Sequence, residues 1–289
     1  MKRRFIEALL FLAITAICTA CGIAQAGMSD ANQAHMPESC EIHLLLDAGQ
    51  LLDDQGLLTR EACGLFDVTK KHKTYSLAYV ETPDMSFKQS GWINRIRMQQ
   101  GKANKGYSLT YKKRYPVHNG DVASAMRLAE SEGVGLSGKA WDTQLEWSYS
   151  SMTLSLSTET ICPADGRDCV DDLDSHIATG MIRNSMPEEE TEHDADAAQM
   201  VGPVFFKRYS ASYLDRNVRI EVWDVPMQGS DKMNRIVELS YETTDLEDAA
   251  ADRDAFIRGL TQQGLLLQHD ALKTQQVLDA FLGSAHSQA

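Results

Sequence analysis

Two arginines close the stretch YVETPDMSFKQSGWINRIR, residues 79–97, and their spacing could do chemistry. Arg95 and Arg97 lie two residues apart, so a β-strand places both on one face and turns Asn94 and Ile96 to the other. Guanidinium groups offer planar forks of N–H donors that match the oxygens of phosphate and carboxylate groups. The stretch therefore predicts an anion site on one face of a strand.

The rest of the chain makes this pair unusual, because the protein is acidic. Its 289 residues include 28 Lys and Arg against 41 Asp and Glu, with an ordinary hydrophobic share of 43%. A chain of this charge is not expected to bind nucleic acid or anionic membranes broadly. Any anion site must therefore be a local concentration of positive charge.

The N-terminal residues predict export. A basic MKRR start, an apolar run over 5–20 and a cleavage site after Ala26 are typical of a secretory signal peptide. Residues 27–39 are small and polar and are expected to form a flexible lead-in. We expect a periplasmic or secreted protein without a transmembrane segment. The alternative is a lipid anchor at Cys21, which would make it an outer-membrane lipoprotein. Cleavage after Ala26 leaves a net charge of −15.

Four cysteines remain in the mature chain, and export favours disulfides over free thiols. The local pairing predicts bridges between Cys40 and Cys63 and between Cys162 and Cys169, although four cysteines allow three pairings. A metal site is disfavoured for these residues because the sequence has no CxxC pair.

Residues 40–289 are expected to form one domain of the α+β class. Eight runs resemble strands, at 41–47, 75–82, 92–98, 107–114, 142–157, 204–213, 218–225 and 234–243. Helices are expected at 119–133, 244–264 and 271–283, with an acidic excursion at about 170–200 that begins helically. Many strands with few helices between them favour an antiparallel barrel or sandwich.

The polar faces of these strands carry charges of both signs. Arg219 and Glu221, for example, alternate with Val218, Ile220 and Val222. The common interpretation is an antiparallel sheet with one face in water. The mixed charges, and amphipathic helices that must cover apolar faces, favour instead a barrel with a polar lumen and helices outside. Such a lumen suits phosphates held by basic residues and divalent metals held by carboxylates.

The stretch at 79–97 resembles a signature of the CYTH superfamily, the triphosphate tunnel metalloenzymes, in its aromatic, acid-Thr-Pro-Asp, Gly and Arg-x-Arg pattern. In the family, a Leu-Thr-x-Lys strand follows that signature, and YSLTYKK at 107–113 is similar to it. EIHLLLD at 41–47 is similar to the opening Glu-x-Glu-x-Lys strand of the family. RIVELSYE at 235–242 is similar to its closing Glu-x-Glu strand. The resemblance covers roughly residues 40–265. It implies an eight-stranded antiparallel tunnel that binds triphosphates with Mg²⁺ or Mn²⁺ and either hydrolyses them or makes cyclic AMP.

The resemblance, together with the polar faces, assigns roles to individual residues. The expected catalytic residues are Glu41 and Lys112. The expected metal ligands are Glu41, Glu146, Glu221 and Glu238. The expected substrate-binding residues are Arg95, Arg97, Lys112, Arg114, Arg219 and Arg208, with Lys207 as the alternative to Arg208. Lys113 is expected to point outward.

This sequence also departs from the family pattern. His43 and Leu45 replace the second glutamate and the lysine of the opening strand, and Ser240 replaces the second glutamate of the closing strand. As a neutral imidazole, His43 could bind Mn²⁺ or Zn²⁺, but a hydrogen-bonded strand histidine is the commoner case. Glu242 could replace a lost carboxylate from the same face.

Two functions fit these residues. The first is a metal-dependent phosphohydrolase that acts on an inorganic or organic triphosphate or a short polyphosphate. The second is a non-catalytic protein of the envelope that binds polyphosphate or another polyanion. The intact basic residues favour the enzyme, and the depleted glutamates favour the binding protein.

Overall fold

The computed structural model describes residues 36–135, 141–190 and 195–283, which belong to one compact unit spanning Ala34–Ala289. The predicted signal peptide, the alternative anchor at Cys21 and most of the lead-in fall outside the described residues. Within the described ranges, none of the helices has the length and apolar character needed to cross a membrane.

Nine strands form a closed barrel. They are β1 (Ser39–Leu46), β2 (Lys73–Glu81), β3 (Trp92–Gln99), β4 (Tyr107–Pro116), β5 (Asp142–Trp147), β6 (Met152–Cys162), β7 (Gln199–Tyr213), β8 (Arg216–Pro226) and β9 (Met233–Thr243). Around the barrel they follow the order β1, β5, β6, β4, β3, β2, β7, β8 and β9. Strands β1 and β5 pair in parallel, and the other neighbouring pairs are antiparallel.

The barrel confirms the expected α+β architecture, but the prediction of eight antiparallel strands is wrong. Residues 142–157 were expected to form one long run. Instead the chain reverses after Ser148, whose N–H donates to the carbonyl of Ser151 at 2.9 Å, and strands β5 and β6 pair as a hairpin. The extra strand lets β5 run parallel to β1 and close the barrel.

Seven helices accompany the barrel in the described residues. They are α1 (Ala48–Leu51), α2 (Arg60–Leu65), α3 (Ser86–Gln89), α4 (Val122–Ser131), α5 (Ser175–Ser185), α6 (Ala249–Gln262) and α7 (Lys273–Leu282). The three predicted helices correspond to α4, α6 and α7, and the acidic excursion begins as α5. Asp121 and Asp174 start α4 and α5 by accepting hydrogen bonds from backbone N–H groups of the first turn.

The apolar faces of the strands point outward, where helices cover them. Phe256 of α6 belongs to one buried cluster with Ile42 and Leu44 of β1. On another side of the barrel, Ile182 of α5 belongs to a buried cluster with Ile96 of β3. Burying a side chain of this size stabilises the fold by about 1.5–3 kcal/mol. The core therefore lies largely outside the barrel wall, which leaves the inner face free for polar side chains.

Part of the lumen is nevertheless apolar. Phe206 of β7 stacks between Tyr75 of β2 and Trp223 of β8, with ring centroids 4.9 Å and 4.5 Å away. Val277 and Leu278 of α7 are buried in the same cluster. The last helix is thus joined to the inner face of the barrel, and it brings its first residue, Lys273, to the polar part of the lumen.

The two predicted disulfides are absent, since Cys40, Cys63, Cys162 and Cys169 are all free thiols. Cys40 is buried in the outer core, where burial raises the pKa of its thiol to about 11, and the Cys63 thiol approaches the Leu58 carbonyl at 3.8 Å. Cys169 Sγ accepts a hydrogen bond from a backbone N–H of the turn that follows it, at 3.4 Å. Each of these thiols has local contacts of its own.

Candidate functional site in the barrel lumen

All ten predicted site residues line one cavity of about 530 Å³ inside the barrel. They are Glu41, Arg95, Arg97, Lys112, Arg114, Glu146, Arg208, Arg219, Glu221 and Glu238. Period-two alternation explains this, because every second residue of each strand points inward. The fold brings these residues together, and their roles as a site stay predictions.

Three charged neighbours of these residues are not among the residues that line the cavity. Lys207 pairs with Asp224 at 2.7 Å and is not among the cavity residues, so Arg208 is the lumen residue of β7. Lys113 pairs with Glu132 at 3.3 Å outside the lumen, as expected. Glu242 is not among the cavity residues, but its Oε2 accepts a hydrogen bond from Arg219 Nη2 at 2.6 Å. It therefore neutralises one arginine of the cavity, and its replacement of a lost carboxylate stays a prediction.

Three guanidinium groups lie close enough in the lumen to affect one another. The charge of Arg95, then burial, then the charge of Arg208 lower the pKa of Arg97 to about 10. Arg95 Nη2 donates to Thr110 Oγ1 at 3.0 Å, while its Nε is buried with no hydrogen-bond partner in the described part of the chain. Arg97 Nη2 lies 3.7 Å from the carboxylate oxygen Oε2 of Glu159. In this arginine cluster, Arg95, Arg97 and Arg208, the Nε and Nη2 of Arg208 contact Glu221 Oε1 at 2.8 Å and 2.7 Å. The donors that remain available for an anion are therefore mainly those of Arg95 and Arg97.

Glu146 is held by two cations of the neighbouring wall. Lys112 Nζ lies 2.6 Å from Oε1, and Arg114 Nε lies 2.8 Å from Oε2. Burial would raise the pKa of Glu146, but Arg114 and Lys112 outweigh burial and hold that pKa well below the ordinary value. Both carboxylate oxygens are therefore neutralised by basic residues of the site itself.

Glu221 and Glu238 face each other across the β8–β9 ladder, and Lys273 contacts both. Lys273 Nζ lies 2.8 Å from Glu221 Oε2 and 2.6 Å from Glu238 Oε1, while Arg208 Nη2 lies 2.7 Å from Glu221 Oε1. Burial would raise the pKa of both carboxyl groups. The positive charge of Lys273 is the largest cause that acts against burial, and both pKa values are lowered. Trp223 Nε1 donates to Glu221 Oε2 at 2.9 Å and completes its contacts.

His43 lies between two carboxylates of the lumen. Its Nε2 is 3.4 Å from Glu41 Oε2, and its Nδ1 is 3.2 Å from Glu238 Oε1. Burial opposes the charged imidazole, but Glu41 and Glu238 outweigh burial and raise its pKa to about 9. His43 is therefore a cation near neutral pH. The interpretation as a hydrogen-bonded strand histidine fits the structure, and the interpretation as a neutral metal ligand does not.

The carboxylates of the lumen do not fit a resident Mg²⁺ or Mn²⁺. Those ions need open oxygen ligands, whereas Glu146, Glu221 and Glu238 each contact a lysine at 2.6–2.8 Å. Glu41 has the longest contacts, 3.4 Å to His43 and 3.9 Å to Arg219. Among the described residues, no three His, Cys, Asp or Glu side chains are grouped so as to hold a metal.

Lys273 lines the lumen although it was not among the residues predicted from the sequence, where the last helix was interpreted only as the end of the fold. A signal was present, since a cation in the first turn of a helix is disfavoured by the helix dipole and so requires a partner. Asp270, three residues earlier, accepts hydrogen bonds from the Ser150 and Ser151 hydroxyls at 2.7 Å and 2.9 Å. These hydrogen bonds attach the start of α7 to the β5–β6 turn.

Comparison with known proteins finds no matching family model and no matching curated protein. Solved structures similar to this chain include a candidate adenylyl cyclase from Hippeastrum described as revealing a dominant triphosphatase activity, at 16% identity and a TM-score of 0.48, over 81% of this chain and 92% of that one. Candidate adenylate cyclases from Bacillus halodurans and Vibrio parahaemolyticus follow at 12% and 11% identity, with TM-scores of 0.45 and 0.43. The matches cover 84% and 85% of this chain and 97% and 100% of theirs.

All three matches have 16% identity or less. At TM-scores below 0.5, no argument about this chain rests on them.

Proposed function

We propose that the barrel lumen binds a triphosphate or a short polyphosphate. The arginine cluster carries this proposal, because its guanidinium groups repel one another enough to lower the pKa of Arg97 to about 10. An anion with several phosphate groups would relieve that repulsion and accept hydrogen bonds from Arg95 and Arg97, of which Arg95 Nε has no partner in the described residues. Charge-assisted contacts of this kind are among the stronger hydrogen bonds in proteins.

The charge of the lumen supports the same ligand class. Seven Lys and Arg residues line the cavity against five Asp and Glu residues, in a chain whose formal net charge is −13. The protonated His43 adds a further positive charge. This local excess of about three positive charges suits a ligand with several negative charges better than a single phosphate.

The paired carboxylates favour binding without catalysis over metal-dependent hydrolysis. A hydrolase of the predicted type needs Glu146, Glu221 and Glu238 as open metal ligands, and each of them is held by a lysine. The proposed function is therefore that of an envelope protein that retains a polyphosphate in a barrel.

Hydrolysis of the triphosphate is the second candidate, and Glu41 favours it. Its contacts with His43 and Arg219, at 3.4 Å and 3.9 Å, leave a carboxylate that could bind a metal arriving with the anion. Lys112, in the same lumen, would then hold a phosphate of the substrate.

Calorimetry with tripolyphosphate tests the proposal on the mature chain from residue 27, in chelator and then with Mg²⁺ or Mn²⁺. Orthophosphate serves as the control ligand, and phosphate release is measured in parallel. We expect saturable binding of tripolyphosphate, weaker binding of orthophosphate, and phosphate release at background. A folded protein that binds no tripolyphosphate under any condition would refute binding, and metal-dependent release would establish the hydrolase instead.

A further inference from the structure

Lys273 lies where two negative charges would otherwise repel each other. Glu221 and Glu238 are direct partners in the β8–β9 ladder, and like charges in that relation are destabilising. The ammonium group contacts one oxygen of each, at 2.8 Å and 2.6 Å. The two carboxylate side chains are 7% exposed and that of Lys273 is 19% exposed, so water screens this triad only weakly.

The contacts of Lys273 use the oxygens that a divalent ion would need. Glu221 Oε2 and Glu238 Oε1 both accept from the ammonium group, and Arg208 holds the other oxygen of Glu221. Three of the four carboxylate oxygens are thus occupied by cationic side chains. A metal ion bound between the two carboxylates would have to displace Lys273 from both.

The fold holds this lysine in place from both sides. Four residues after it, Val277 is fully buried against the apolar part of the lumen, and Leu278 beside it is 1% exposed. Before it, Asp270 is fastened to the β5–β6 turn by Ser150 and Ser151. Unlike a metal ion, a cation attached in this way cannot be removed by a chelator.

An ammonium group has three N–H donors, of which the two carboxylates take two. Lys273 also lines the cavity that contains the arginine cluster. It can therefore neutralise the carboxylates and face a phosphate group, which are the two tasks that a bridging metal ion performs in a phosphate site.

We propose that Lys273 takes the place of a divalent metal at Glu221 and Glu238, so that the lumen binds polyphosphate without a metal ion. This inference rests on the proposed function for its ligand. It also makes a statement about metal affinity that is independent of any phosphate.

The first experiment measures Mn²⁺ alone, by calorimetry and by electron paramagnetic resonance. The wild-type chain and Lys273→Ala are compared with Lys232→Ala, a matched control that removes an exposed lysine of the β8–β9 turn. We expect Lys273→Ala to bind Mn²⁺ at least tenfold more tightly than the wild type, because its carboxylates are released, and Lys232→Ala to match the wild type. Equal Mn²⁺ affinity in the wild type and Lys273→Ala would overturn the inference.

The second experiment titrates tripolyphosphate in chelator and in Mg²⁺. We expect the affinity of the wild type for tripolyphosphate to differ less than threefold between chelator and Mg²⁺. In chelator, Lys273→Ala should bind tripolyphosphate at least tenfold more weakly than the wild type. In Mg²⁺, the variant should recover part of that lost affinity. A wild-type affinity that rises more than tenfold with Mg²⁺, or unchanged binding by Lys273→Ala in chelator, would refute metal-independent binding by Lys273.

The two failures can be told apart. Absence of tripolyphosphate binding in every chain refutes the proposed function, while the Mn²⁺ comparison still decides the role of Lys273. If Lys273→Ala does not fold, Lys273→Met keeps the length of the side chain while removing the charge, and near-ultraviolet circular dichroism verifies its fold. The wild-type comparison between chelator and Mg²⁺ needs no variant at all.

Discussion

Arg95 lies beside Arg97 on the lumen face of β3, and its charge is the main cause that lowers the pKa of Arg97 to about 10. Two guanidinium groups held together in this way are unfavourable until an anion joins them. The strand backbone fixes their spacing, so the donors are arranged before a ligand arrives.

The first prediction is that Arg97→Ala weakens tripolyphosphate binding about 10- to 100-fold. The reason is the loss of a charge-assisted contact in a shielded site, worth about 1.5–3 kcal/mol. The free energy of unfolding should change little, because the Arg97 contact with the half-exposed Glu159 is long, at 3.7 Å. Calorimetry and urea unfolding of the same preparation measure both effects.

Lys113→Ala is the control for this change. Lys113 lies on the outer side of the wall, against Glu132 at 3.3 Å and over the Trp92 ring at 5.3 Å. Its removal should leave tripolyphosphate binding unchanged within about 0.5 kcal/mol. A loss as large as that of Arg97→Ala would show that the assignment of the two faces is wrong.

The second prediction concerns Glu146, whose replacement leaves two partly buried cations without a counter-charge. Glu146→Gln should lower the free energy of unfolding by about 3–5 kcal/mol, because Lys112 and Arg114 lose the carboxylate that neutralises both. Urea unfolding at neutral pH measures the change. The matched control is Glu159→Gln, at a half-exposed site with one long contact, which should stay within about 0.5 kcal/mol. Equal effects of the two variants would show that the Glu146 cluster is not coupled to folding.

The inner face of the barrel could be predicted from sequence because alternation is a local property. Arg95 and Arg97 had to share a face once β3 was a strand, and the same rule placed Lys112 with Arg114. Helices α4 and α6 were likewise visible from their capping and stop residues. Such features depend on neighbours within a few positions along the chain.

Other features depend on long-range contacts and gave little local signal. The turn between β5 and β6, SYSS at 148–151, has no Gly, Pro or Asn, so residues 142–157 resembled a single strand. The contact of Lys273 with Glu221 joins residues 52 positions apart. The closing partner of β1 is likewise β5, about 100 residues away, and no periodicity specifies that parallel pair.

The third prediction tests whether α7 is part of the barrel core. Leu278 is 1% exposed and packs in the apolar part of the lumen, so Leu278→Ala should lower the free energy of unfolding by about 2–5 kcal/mol. Phe281→Ala, on the same helix but 40% exposed, is the matched control and should cost far less. Denaturant unfolding measures both. A Leu278→Ala variant as stable as the wild type would mean that α7 is not packed against the barrel.

Glu190 is a buried acid on the outer side of the barrel. It is 0% exposed, and its Oε1 accepts a hydrogen bond from Asn94 Nδ2 at 2.6 Å, while Oε2 has no hydrogen-bond partner in the described part of the chain. Burial is the main cause that raises its pKa to about 8, with a smaller contribution from Glu81 and with Asn94 and Lys113 opposing. The native protein therefore keeps this proton at pH values where the unfolded chain has lost it.

The last prediction follows from that difference. Below a pH of about 4.5 both states hold the proton, and between about 4.5 and 8 only the native state does. The contribution of Glu190 to stability is thus fully present at low pH and falls by about 1.4 kcal/mol per pH unit as pH rises from about 4.5 to about 8, a total of up to about 5 kcal/mol. Glu190→Gln keeps a neutral side chain beside Asn94, so it should match the wild type near pH 4.5 and exceed its stability at pH 8.5. Urea unfolding across this range measures the difference, with Glu130→Gln at an exposed site of α4 as the control. If Glu190→Gln and the wild type change in parallel at every pH, then Glu190 is ionised in the folded protein and the prediction is wrong.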